Sequence, residues 1–185
     1  MTSRALIVKG PHLLDIGEVR VPDPGAGEVL VKAAYSCVSP GTELRCLSGN
    51  DVTAWPYVPG YAMAGTVVAN GPGTHLAAGT RVFCGGTERC SITRQWGAHL
   101  QYAVRTEAEL LVLPEQVDMI DAAIARLAAI AHHGVRLCPP QQGERIAVVG
   151  LGPIGHLSAR LHALAGGNVL GVDVAASRVA RLTAA

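Results

Sequence analysis

The residues whose types and spacing most clearly suggest chemistry lie near the end of the 185-residue chain, at Gly150-Leu-Gly152-Pro153-Ile154-Gly155. This G-x-G-x-x-G spacing also occurs in ordinary strand-to-helix turns, so its setting decides what it means. The apolar run Arg145-Ile-Ala-Val-Val149 precedes it, a helical pattern opens at Pro153, and Asp173 closes the next apolar run. That setting predicts a dinucleotide site. Gly150 would permit the tight turn, Gly152 the approach of a pyrophosphate, and Gly155 close packing of helix on strand. Unpaired N–H groups at the helix start, around Pro153 and Ile154, would face the phosphates, and Pro is tolerated there because a first-turn N–H has no helical partner. Asp173 would accept the ribose hydroxyls and repel a 2′-phosphate, which favours NAD over NADP. Arg178, just beyond, keeps NADP as the minority expectation.

The other reactive side chains carry weaker patterns. Five cysteines (Cys37, Cys46, Cys84, Cys90, Cys138) form an odd set without paired spacing, which argues against a disulfide framework. Seven histidines show no ligand spacing, and His132-His133 reads as packing or surface. The net charge of +1 gives no reason to expect nucleic acid or an anionic membrane as partner. Mean hydropathy of +0.30 excludes a disordered tail. No run approaches the ~20 apolar residues of a spanning helix, and the N-terminal apolar run is too short for a signal peptide core. A cytoplasmic protein with free thiols is expected.

Two kinds of element must position these residues. The first half offers short apolar runs, at Ala5–Lys9, Glu28–Tyr35, Gly65–Ala69 and Thr80–Cys84, separated by turn residues such as Pro22-Asp-Pro-Gly, Pro40-Gly41 and Asn70-Gly-Pro-Gly73. Regularly spaced short strands predict a small barrel or sandwich. Near Pro114 the period changes. Asp118 is the expected cap of a helix running through Ala122 to Leu137 before Pro139-Pro140. A β-α-β unit follows: the strand at 145–149, a helix from Pro153 with Ile154, Leu157, Leu161 and Leu164 on one stripe, the strand at 168–172, and the start of a helix at 177–182. The fold class is α/β overall.

Pro24-Gly-Ala-Gly-Glu-Val-Leu-Val-Lys32, Val58-Pro-Gly60, Ala64-Gly-Thr-Val67 and Gly79-Thr-Arg-Val82, followed by the Gly150 loop, are collinear with the medium-chain dehydrogenase/reductase superfamily, which the chain resembles along its whole length. The resemblance implies an N-terminal GroES-like β-barrel domain over 1–117, a linking helix over 118–143, and the first β-α-β part of a Rossmann domain over 144–185. It also implies an active site in the cleft between the domains and an NAD(P)-dependent oxidoreductase acting on a small alcohol or carbonyl.

Many members hold a catalytic zinc, and the ligand positions here differ. Pro40 stands where the first thiolate belongs, and Gly60-Tyr61-Ala62 replaces the segment that supplies imidazole and carboxylate. The four-cysteine structural cluster is absent too. No metal is therefore expected, and the resemblance narrows to a zinc-lacking branch. Thr42 takes the position of the proton-relaying hydroxyl, with a plain turn hydroxyl as the alternative. Tyr61 takes the position that faces substrate, with a half-buried filler of the vacated site as the alternative. An NADPH-linked quinone or enoyl reductase is the runner-up. The 41 residues from Arg145 cover one β-α-β unit of a fold that has six strands. The isolated chain is therefore expected not to catalyse hydride transfer, and a non-catalytic fragment, a homo-oligomer or a complementing polypeptide stays open.

Overall fold

A computed structural model describes residues 1–52 and 54–183, and the chain divides into two compact units, Met1–Ala125 and Arg126–Ala185. In the first unit, β-branched and small apolar residues recur at alternate positions, which suits half-buried strands. Two sheets result. One has the order β2 (Leu13–Arg20), β1 (Thr2–Gly10), β4 (Tyr57–Val58), β7 (Thr93–Arg94). The other has the order β8 (Tyr102–Thr106), β3 (Glu28–Ser36), β5 (Met63–Asn70), β6 (Arg81–Cys84), β9 (Leu111–Val112).

Backbone bonds along residues 98–101 stitch the sheets together: Leu6 N–H donates to the His99 carbonyl at 2.9 Å, and Gln101 N–H donates to the Arg4 carbonyl at 2.8 Å. The inner faces close on a core of Val21, Val29, Val31, Val58, Val67, Val82 and Met63, all fully buried. The strands expected at 5–9, 28–35, 65–69 and 80–84 are all present, each shifted by no more than a few residues.

Helices depart from expectation in two places. Pro40-Gly41, read as turn punctuation, opens helix α1 (Pro40–Leu47), with Ser39 at the N-cap and Pro40 in the first turn. Pro is compatible with that position because its missing N–H would have had no helical acceptor. The single helix expected to run through 122–137 is two, α2 (Met119–Ala123) and α3 (Ala125–Leu137). The chain breaks at Ile124, where the buried pair Ala122 and Ala123 packs against Ala64 of β5. Asp118 sits at the N-cap of α2, but its side chain makes no capping bond.

In the second unit, β10 (Arg145–Val149) and β11 (Asn168–Val172) pair in parallel, residue for residue, across α4 (Pro153–Leu164), and α5 (Ala176–Thr183) follows. Ile146, Val148 and Val169 lie on the half-covered side, and Val148 reaches Gly155 of α4. The opposite face is apolar and open, with Val149 81% and Leu170 65% exposed. Of the expected α4 stripe, Leu157 and Leu161 are half-buried, while Ile154 and Leu164 are exposed and Ala159 is the buried residue. Among the described residues, no helix is long and apolar enough to cross a membrane.

Candidate active site

In the second unit the glycine loop leaves β10 and enters α4. Gly150 has φ +88°, a conformation that disfavours any side chain, and its N–H donates to the Val172 carbonyl at 2.7 Å. Gly155 lies directly against the Gly150 carbonyl, so any Cβ there would overlap it and push the helix off the strand. In front of Gly150 and Gly152 the space is open, and a Cβ at either would meet nothing within 4 Å. Gly152 is the N-cap of α4 and offers no side chain to satisfy the first-turn N–H groups, while Pro153 and Ile154 are exposed. The loop therefore fits a pyrophosphate: room in front, and N–H groups behind.

Asp173 anchors this loop. Its Oδ2 accepts the Leu151 N–H at 2.7 Å and its Oδ1 accepts the Ala175 N–H at 2.8 Å, while Arg178 Nη1 stands 3.4 Å from Oδ2. The side chain is only 3% exposed. The Ala175 and Leu151 amides, followed by Arg178, hold its carboxyl below the usual carboxylate range. The sequence assigns Asp173 a single task at the ribose. The structure gives it a second one, tying the glycine loop to the turn after β11.

In the first unit, the residues that the resemblance sets at ligand positions gather at the start of α1. Tyr61 follows β4, is half-buried, and donates its hydroxyl to Ser39 Oγ at 2.5 Å. Its ring meets the Trp96 ring edge-on, centroids 5.1 Å apart at 77°. Thr42 lies exposed on the first turn of α1. Glu43 is buried, and its Oε1 reaches back to accept the Ser39 N–H at 2.7 Å, a side chain standing in for the missing helical partner.

The donor set does not fit zinc. Pro40 and Ala62 offer no ligand atom, Tyr61 is hydrogen-bonded to a serine, and among the described residues no group of three His, Cys, Asp or Glu side chains converges. The thiols do not compensate: burial, then the charge of Glu43, raises Cys37, and burial pushes Cys84 up to about 11.

Sequence reasoning missed His99. Its buried ring bonds Glu43 on one side and Ser36 on the other, at 2.7 and 2.8 Å. Glu43 and His99 are 56 residues apart, so no local spacing could have announced the pair. His132 and His133 lie exposed on α3.

Comparison with known proteins bears on this arrangement. The alcohol dehydrogenase GroES-like domain family matches residues 25–115. An alcohol dehydrogenase from Moraxella sp. is 29% identical across 87% of this chain and 54% of its own length. The 2-desacetyl-2-hydroxyethyl bacteriochlorophyllide A dehydrogenase of Cereibacter sphaeroides is 32% identical across 90% of this chain and 55% of its own. Residues 25–115 belong to the alcohol dehydrogenase GroES-like domain family.

The fold of solved dehydrogenases extends along the whole of this chain. A dehydrogenase from Sinorhizobium meliloti, solved bound to NADP, superposes with a TM-score of 0.87 at 22% identity, over 100% of this chain and 60% of that one. The chain spans about half the length of the curated superfamily relatives it matches.

Proposed function

We propose that the protein is a zinc-independent, NAD(P)-dependent oxidoreductase of the medium-chain superfamily, acting on a small alcohol or carbonyl and preferring NAD. One observation carries the reading: at the positions that the resemblance assigns to metal ligands, Pro40 and Ala62 have no side-chain donor atom and the Tyr61 hydroxyl is held by a serine. A bound nicotinamide dinucleotide would supply or accept the hydride. Gly150, Gly152, Pro153, Ile154 and Gly155 would take its pyrophosphate, and Asp173 would take its ribose with Arg178 alongside.

The chain's own task is then the proton at the substrate oxygen. When a carbonyl is reduced, Tyr61 gives its proton to the substrate oxygen, recovers one from Ser39 across their 2.5 Å contact, and Ser39 is reprotonated from solvent; alcohol oxidation runs the same transfers in reverse. Thr42, on the same turn, is a second hydroxyl for the relay. Trp96, packed on Tyr61, gives the site an apolar wall.

Measuring turnover with NADH and NADPH in a turnover-competent form of the protein, with Tyr61 and with Tyr61→Phe, tests the proposal. A preference for NADPH would remove the argument from Asp173. Full activity of the Phe variant would remove the role of Tyr61, and loss of activity of the unsubstituted protein on treatment with a chelator would remove the metal-free reading. The five free cysteines fit a reducing, cytoplasmic setting.

A second reading has its own support. The open apolar face of β10 and β11 suits a partner polypeptide that completes the sheet, in which case the 185-residue chain binds but does not catalyse.

A further inference from the structure

His99 and Glu43 form a buried pair that the proposed reaction leaves without a task. Both side chains are almost wholly enclosed, and they come from different elements: Glu43 from α1, and His99 from the segment before β8. Glu43, as a carboxylate, has only acceptor atoms, so the imidazole Nε2 facing it carries the hydrogen. The lone pair of Nδ1 is then left to receive the Ser36 hydroxyl at 2.8 Å, at the end of β3. One tautomer satisfies both contacts. The ring is thus locked from two sides.

This ring touches the surroundings of Tyr61 at two separate points. Through Glu43 it reaches Ser39, because the second carboxylate oxygen takes the Ser39 N–H while Ser39 Oγ receives the Tyr61 hydroxyl. Directly, it lies against Gly60, the residue before Tyr61. Gly60 has φ +91°, and a Cβ there would stand 2.8 Å from three ring carbons of His99. The backbone continues the clamp, with Ala98 N–H donating to the Gly60 carbonyl at 2.8 Å and His99 N–H to the Pro59 carbonyl at 3.0 Å. Both the main chain that carries Tyr61 and the partner of its hydroxyl are therefore referred to one imidazole.

We propose that His99 is a positioning residue: acting through Glu43 and Ser39, and against Gly60, it fixes the direction of the Tyr61 hydroxyl. The inference rests on the reading of Tyr61 as the group that faces substrate. Its test does not depend on turnover.

The chain has four tyrosines, so a 3-fluorotyrosine-labelled sample gives four fluorine lines, and Tyr61→Phe identifies the line of residue 61 by its loss. His99→Phe keeps a ring but removes both nitrogens. It is expected to move line 61 while the lines of Tyr57 and Tyr102, in the same unit, stay in place. His99→Gln restores a donor toward Glu43 and is expected to return line 61 toward its wild-type position. A stationary line 61 in His99→Phe, with the other lines also unmoved, overturns the proposal. Should His99→Phe disperse all four lines through unfolding, Glu43→Gln decides, because it keeps the size and an acceptor for Ser39 but alters the side facing His99. Movement of line 61 alone supports the clamp, and no movement overturns it. Because the spectra are recorded without cofactor or substrate, a failure here is separate from a failure of the catalytic role of Tyr61, which the turnover of Tyr61→Phe reports.

Discussion

Gly60 and Tyr61 are neighbours with opposite requirements, one needing no side chain and the other needing a hydroxyl at one point. Any residue other than glycine at 60 would have to hold φ near +91° and displace the His99 ring. Backbone strain of that kind costs about 1–3 kcal/mol, and the crowded ring adds to it. Gly60→Ala should therefore lower the urea midpoint of the first unit. A surface glycine with open space around it, such as Gly73, provides the control, since replacing it meets no atom and exposes only the φ penalty. At Tyr61 the proposed role makes the loss a functional one. Removing a positioned acid–base group typically lowers turnover by about a hundredfold or more. Tyr61→Phe should show that drop in kcat in a turnover-competent form of the protein, with KM changing far less, because the ring and its contact with Trp96 remain. An equal effect on KM alone would mark Tyr61 as a filler of the vacated ligand site.

At the scale of elements, Asp173 joins two turns and makes the second unit sensitive to acid. Its partners hold the native carboxyl below the ordinary value of 3.8. In acid, the unfolded chain therefore binds this proton before the folded chain does. The stability tied to Asp173 is complete above the ordinary value and drains away as pH falls through the lowered native one. Acid unfolding followed by circular dichroism should show Asp173→Asn starting less stable near neutrality, with the gap to wild type closing below the ordinary carboxylate range. A constant gap would mean that the N–H contacts of Leu151 and Ala175 act without regard to charge.

The same elements show what could be read from sequence and what could not. The β-α-β unit was legible because every signal in it is local: the run at 145–149, the glycines at 150, 152 and 155, and the acidic residue closing the next strand. Helix α1 was not, because Pro40-Gly41 is a turn signal in most settings. Its helix is held at the start by Glu43, whose task depends on His99 from a distant segment. The break at Ile124 was hidden for a similar reason, since it follows from Ala122 and Ala123 packing on Ala64, not from any helix-breaking residue.

For the molecule as a whole, the two units differ in how completely they enclose their apolar surface. The first has two stitched sheets and a valine core without exposure. The second has two parallel strands with one face covered by α4 and the other bare. Parallel sheets are stable when both faces are covered, and a complete dinucleotide fold has six strands, the second half of which serves the nicotinamide end. The glycine loop of this unit is nevertheless formed: it turns at Gly150, α4 packs close at Gly155, and Asp173 ties it to the next turn. Dinucleotide binding should therefore be measurable on this unit. The 185-residue chain should quench or enhance NADH fluorescence saturably, and more weakly with NADPH, whose 2′-phosphate meets the Asp173 charge. Gly152→Val should abolish the signal by filling the open space at the pyrophosphate.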